Sequence, residues 1–141
     1  MNPANLETQT PLPPHQSRRC GRLASFKYAS RGLLLLIQTQ PNARIHLAIS
    51  TLVTAAGIQL RISRSDWICV ILAIGLVWTA EGLNTAIEFL TDRVSPEWSH
   101  DAARVKDVAA AAVLLAAIAA AAVGCLVFLP PVILLIEKNR Q

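Results

Sequence analysis

Glu81, Asn84, Glu88 and Asp92 fall within thirteen residues, "EGLNTAIEFLTDR" at 81–93. On a helix turning about 100° per residue, Asn84 lies about 60° to one side of Glu81, and Glu88 about 20° to that same side. Asp92 lies about 20° to the other side, so all four share an arc of about 80°. They form one polar stripe, about 16 Å long at 1.5 Å per residue. Lys106 and Asp107 follow after a polar loop, "TDRVSPEWSHDAARVKD". Phosphoryl transfer needs such parts: acidic groups for Mg²⁺, a lysine for phosphate oxygens, and a carboxylate to take a proton from an attacking hydroxyl.

The stripe's setting sharpens that expectation. The preceding residues 68–80, "ICVILAIGLVWTA", carry no charge and read as the first half of a membrane-spanning helix. A carboxylate near the bilayer centre costs about 2.5–3.5 kcal/mol or more. A single Asn or Glu there is equally well read as a hydrogen bond between packed helices. Three carboxylates on one stripe require a cation or a reaction to offset them. A base at mid-depth suits a hydroxyl carried by a lipid. A rival of a different class is a cation-conducting oligomer whose carboxylates ring a pore. Against it, the other two apolar runs hold no comparable carboxylates, and Lys106 and Asp107 cluster at one rim.

The elements that must position the stripe follow from composition. The chain has 141 residues, 53% hydrophobic and only 16% charged, which is more apolar matter than a soluble core accounts for. The expected class is an all-α integral membrane protein, with three transmembrane helices preceded by an amphipathic surface helix. Residues 1–20 read as a disordered Pro-rich tail, 21–136 as the membrane unit and 137–141 as a polar C-terminal tail. Within the unit, the surface helix covers 22–40, its cationic residues Arg22, Lys27 and Arg31 lying beside Leu33, Leu34 and Ile37. Pro41 ends or bends it. The spans cover 45–61, 67–91 and 107–129, the first flanked by snorkelling Arg44 and Arg61, the last closing at Pro130–Pro131. Cys20, Cys69 and Cys125 are odd in number and lack metal-type spacing, so they read as small buried packing residues. The net charge of +4, without basic clusters interleaved with aromatics, argues against a nucleic-acid partner.

With three spans, nine of the thirteen Lys and Arg residues fall on the side of the N-terminal segment and the 91–107 loop. That side is expected to be cytoplasmic, which brings the loop to the cell's ATP.

"EGLNTAIEFLTDRVSPEW" followed by "ARVKDVAAAAVLLAA" resembles the prokaryotic diacylglycerol kinase family, which includes the Gram-positive-type undecaprenol kinases. The likeness extends over about residues 24–128 and includes "SFKYASRGL" and "NARIHL". It implies an ATP- and Mg²⁺-dependent membrane lipid kinase acting on a lipid alcohol, converting diacylglycerol to phosphatidic acid, with undecaprenol as the alternative acceptor. It also implies a homotrimer with shared sites, embedded in a bacterial-type inner (plasma) membrane with its active site on the cytoplasmic side. Independently, three thin helices offer little to enclose a polar stripe, which also points to an oligomer. By position, Glu81 corresponds to the general base and Asn84 to its catalytic cluster. Glu88 matches a ligand of the metal bound with ATP, and Asp92, Lys106 and Asp107 match residues around the phosphates. Tyr28 falls at a nucleotide-contacting tyrosine and Glu97 in the nucleotide-binding loop. For Tyr28, as for Trp98, interfacial anchoring is an equal alternative, and Glu97 reads equally as a solvated loop charge. One position departs from the pattern. The second metal-binding carboxylate, six residues before His46, is here Gln40, whose amide oxygen can ligate Mg²⁺ without contributing charge. A weakened enzyme, or a non-catalytic membrane homologue impaired at Gln40, is the alternative implied there.

Overall fold

The computed structural model describes residues 22–138 and 140, and its elements are four helices. The tail at 1–20, Cys20 included, lies outside the described residues, as do parts of the 137–141 segment. Helix α1 (Arg22–Thr39) is followed by a single extended residue, Gln40, and then by α2 (Pro41–Leu60). The elbow is Pro41's doing: its ring pushes the preceding residue out of the helical region, and its own fixed φ suits a first helical position. Gln40 accordingly has φ −104° and ψ 116°.

α2 ends where Arg61 adopts the left-handed conformation, φ 52°. The Arg61 and Ile62 amides bond back to Ile58 O and Gly57 O, each at 3.2 Å, closing the helix without the glycine that usually serves there. Gly57 is needed for another reason. A Cβ on it would lie 3.0 Å from the ring of Trp67, so its bareness lets the next helix begin against α2. That helix, α3 (Arg64–Val94), starts on a capping box in which Ser63 and Asp66 satisfy each other's backbone amides. After a short loop, Ser99 Oγ accepts from the Ala102 amide at 3.1 Å near the start of α4 (His100–Lys138).

α2, α3 and α4 are each long and apolar enough to cross a membrane. The α3–α4 pair has the most extensive packing, while α1 and α2 lean on it more lightly. Alanine makes the close approach possible: Ala109 and Ala116 of α4 are buried in the seam. The distribution of polarity is inverted relative to a soluble protein. Leu72, Leu114 and Leu126 are exposed, whereas Glu81, Asn84 and Thr85 are buried. Apolar outside and polar inside is what lipid as solvent selects. The protein is an all-α integral membrane protein.

Two sequence expectations change. Cys69 and Cys125 are exposed on the apolar surface rather than buried, because the helices bury only a narrow stripe each. α4 also runs through Pro130 and Pro131 to Lys138. Two prolines remove two donors, but their φ remains helical, and "VILLI" beyond them would leave every backbone group unpaired in lipid if it uncoiled.

Candidate active site

α3 supplies the stripe, and the elbow between α1 and α2 leans onto it. Glu81, about a turn above Val77, is 1% exposed, and Asn84 is 6% exposed. Thr85, also buried, is tied off by donating to Glu81 O at 3.0 Å. Among the described residues, both carboxylate oxygens of Glu81 and the Asn84 Oδ1 have no hydrogen-bond partner. Buried polar atoms are nearly always paired, and an unpaired buried carboxylate is among the costliest groups a fold can hold. Three orphaned oxygens within one helical turn mark a place built to receive polar or charged chemistry. His46 of α2 and Glu88 are the titratable groups whose fields reach Glu81.

One turn further, Glu88 is the hub. Asn84 Nδ2 donates to its Oε1 at 2.8 Å, and Gln40 Nε2 approaches its Oε2 at 3.4 Å. Residues 48 apart in sequence thus meet because the elbow sits over α3. At the end of the stripe Lys106 Nζ of α4 donates to Asp92 Oδ1 in a half-exposed ion pair. Asp107 is exposed, as are Glu97 in the α3–α4 loop and Tyr28 on α1. So Gln40, Asn84 and Glu88 form one connected group and Asp92 with Lys106 a second. Glu81 stands bare at the deep end, and Tyr28, Glu97 and Asp107 remain unjoined to either.

On the far side of Glu81 from Asp92, a cavity of about 230 Å³ lies between α2, α3 and α4. His46 and Ser50 are its polar lining, and Val77, Ala117, Ala120 and Gly124 belong to its apolar walls. Trp78 Nε1 donates to Ser50 Oγ at 3.2 Å, fixing α2 against α3 at this level.

The donor set fits Mg²⁺ arriving with a nucleotide. Gln40, Asn84 and Glu88 offer hard oxygen donors once the Gln40 amide turns its oxygen inward. No cluster of three or more Asp, Glu, His or Cys side chains that would cage an ion unaided occurs among the described residues. Mg²⁺ is ordinarily held by one or two carboxylates together with substrate phosphates, which is the arrangement such a sparse set permits.

Arg44 was not legible as part of this region. Its guanidinium turns back onto α1, with Nε 3.0 Å from Ile37 O and Nη2 2.6 Å from Gln38 O. A usable signal was present: a cation in the first turn of a helix is at the wrong end of that helix's dipole and needs another partner.

Comparison with known proteins agrees with the geometry. Residues 27–128, more than half of the chain, match the family described as "Prokaryotic diacylglycerol kinase". The chain is similar to the undecaprenol kinase of Bacillus subtilis, 35% identical over 106 residues, covering 75% of this chain and 86% of that protein. It is also similar to the diacylglycerol kinase of Synechocystis, 40% identical over 114 residues, covering 80% of this chain and 65% of the other. With a polar stripe buried in membrane-spanning helices and both relatives named as kinases of lipids, the chain is a membrane lipid kinase and belongs to the prokaryotic diacylglycerol kinase family.

Proposed function

We propose that the protein transfers the γ-phosphoryl group of ATP to the hydroxyl of diacylglycerol, giving phosphatidic acid. The observation that carries the reading is Glu81, buried at mid-helix with both carboxylate oxygens unpartnered. In this reading a Glu81 oxygen takes the proton as the acceptor oxygen bonds to the γ-phosphorus. The bond between that phosphorus and the β,γ-bridging oxygen breaks, and ADP leaves with the electron pair. Asn84 holds the transferring group beside the base. The triphosphate runs down the stripe from the rim, where Lys106 exchanges Asp92 for phosphate oxygens. Asp107, Tyr28 and Glu97 line the nucleotide's approach. Glu88 and Gln40 would hold Mg²⁺, which supplies neutralisation of phosphate charge when bound. The cavity beyond Glu81 accepts part of the lipid's hydrocarbon chain, keeping water from the base.

The rim faces the cytoplasm of a bacterial-type inner membrane, on the Lys and Arg distribution. The single chain already encloses the deep end of the stripe. A neighbouring copy is needed instead at the shallow end, where Asp92, Glu97, Asp107 and Tyr28 are exposed and a second chain would complete a nucleotide site. A homotrimer with shared sites meets that need.

Undecaprenol is the second reading for the acceptor, favoured by the larger share of the Bacillus subtilis undecaprenol kinase that this chain covers. Incubating purified protein with labelled ATP and a panel of lipid alcohols separates the two. Label in phosphatidic acid supports the first reading, and label in undecaprenyl phosphate replaces it with the second. Absence of any labelled lipid would overturn both.

A further inference from the structure

We infer that Arg44 is a positioning residue: its guanidinium clamps the α1–α2 elbow and thereby holds the Gln40 amide against Glu88. The need for a clamp is written in the backbone. In an uninterrupted helix the carbonyl of Ile37 would receive the amide of residue 41, but Pro41 has no N–H to give. The carbonyl of Gln38 would receive the amide of Asn42, which already belongs to α2. Arg44 supplies both missing donors, Nε to Ile37 O at 3.0 Å and Nη2 to Gln38 O at 2.6 Å. Its charge also sits at the negative end of α1, where a cation is favoured, although it lies in the first turn of α2, where a cation is not.

The clamp closes a ring of chain from Ile37 to Arg44, with Gln40 inside it. The Gln40 backbone N–H donates to Leu36 O at 3.0 Å, Pro41 fixes Gln40's extended conformation, and Ala43 is completely buried beside it. The direction of the Gln40 side chain is therefore set by the elbow. At 3.4 Å its approach to Glu88 is at the limit of a hydrogen bond, so a small opening of the elbow would separate them. Leu36 keeps α1 close to α3 from the other side, lining a groove with Gly82, Thr85 and Phe89. A snorkelling cation would need only its charge. A two-carbonyl clamp needs donors on separate nitrogens held in a planar fork, whereas lysine's donors all sit on one rotating ammonium nitrogen.

This inference rests on the proposed role of Gln40 and Glu88, and its test has an arm independent of catalysis. Spin labels at Leu34 of α1 and Leu90 of α3, both exposed, report the elbow by their distance distribution. They are introduced after Cys20, Cys69 and Cys125 are replaced by serine. Arg44→Gln is expected to broaden that distribution and to raise the Mg²⁺ concentration for half-maximal activity about tenfold, with the KM for lipid changed less than about twofold. Arg44→Lys is expected to resemble Arg44→Gln on both readouts. Wild-type behaviour of Arg44→Lys in either readout, or an unchanged distribution in Arg44→Gln, would overturn the clamp. Should Arg44→Gln fail to fold, Arg44→Lys decides by the same two measurements. A wild-type protein that phosphorylates no lipid would sink the proposed function, while the distance arm still reads the elbow.

Discussion

Glu81 and Asp92 are carboxylates on one face of one helix, yet they live under opposite physics. Asp92 has a side chain 61% exposed and an ion-pair partner in Lys106, itself 38% exposed. Such a pair contributes about 0–1 kcal/mol, and either member can leave it at small cost. Glu81 is buried among helices, and among the described residues neither of its oxygens has a hydrogen-bond partner. Nothing about folding recommends that placement. The contrast teaches that depth along α3 divides the labour. The shallow end is built to exchange partners, and the deep end is built to meet one reactant.

The largest effect should come from erasing the deep member. Glu81→Gln keeps shape and polarity but removes the basic oxygen, so kcat should fall by about 10²–10⁴. ATP binding, read by calorimetry or a fluorescent nucleotide, should hold within a few-fold. The thermal midpoint should not fall, because the carboxylate contributes nothing to stability. A destabilised variant with normal turnover would break the comparison at its first term.

At the shallow end the expected change is in a different parameter. Lys106→Ala should raise the KM for ATP about ten- to a hundredfold, as loss of a charged phosphate contact of about 1.5–3 kcal/mol would do. Asp107→Asn should act in the same direction and more weakly, since Asp107 is exposed and belongs to neither side-chain group along the stripe. Lipid dependence should stay as it is for both. Stability should change by less than about 1 kcal/mol, given the exposure of the Lys106–Asp92 pair. An altered lipid KM with unaltered ATP kinetics would reverse the assignment of the two ends.

The stripe was legible in the sequence because a helix repeats every 3.6 residues, so four polar positions convert directly into one face. The three apolar helices were legible for a similar reason: lipid imposes length and composition together. What escaped depended on contacts between distant segments. Gln40 and Glu88, 48 residues apart, are paired in the sequence only by the family resemblance, because helical spacing says nothing of how the elbow at Pro41 brings them together. Arg44 looked like a flanking charge because its direction is set by two carbonyls that a proline left unpaired. The continuation of α4 past Pro130–Pro131 is not legible from the prolines alone, because carbonyls they free find solvent in water but have no such partner in lipid. Enclosure of Glu81 by a single chain was missed too, since thin helices do not advertise how closely alanine lets them pack.

The smallest predicted effect, that of changing Gln40, lies between the two ends, at the hub. Gln40 donates to Glu88, so the neutral amide stabilises the very carboxylate that would hold Mg²⁺. Gln40→Glu replaces a donor by a second acceptor and sets two negative charges face to face. Without metal, like charges at that separation repel, and the thermal midpoint should drop by a few degrees. With Mg²⁺ and ATP the sign reverses, because a hard cation's affinity rises with the charge of its oxygen ligands. The Mg²⁺ concentration for half-maximal activity should therefore fall about three- to tenfold, from a natural value that is high for want of this charge. Glu88→Gln in the natural background leaves two amides and should remove activity altogether. Mg²⁺ titrations of the three forms at fixed ATP, paired with melting curves in chelator, read both signs at once. Coincident titrations for Gln40 and Gln40→Glu would mean that position 40 never touches the ion. The elbow would then serve only to close the stripe against lipid, and the division of labour along α3 would have two stations instead of three.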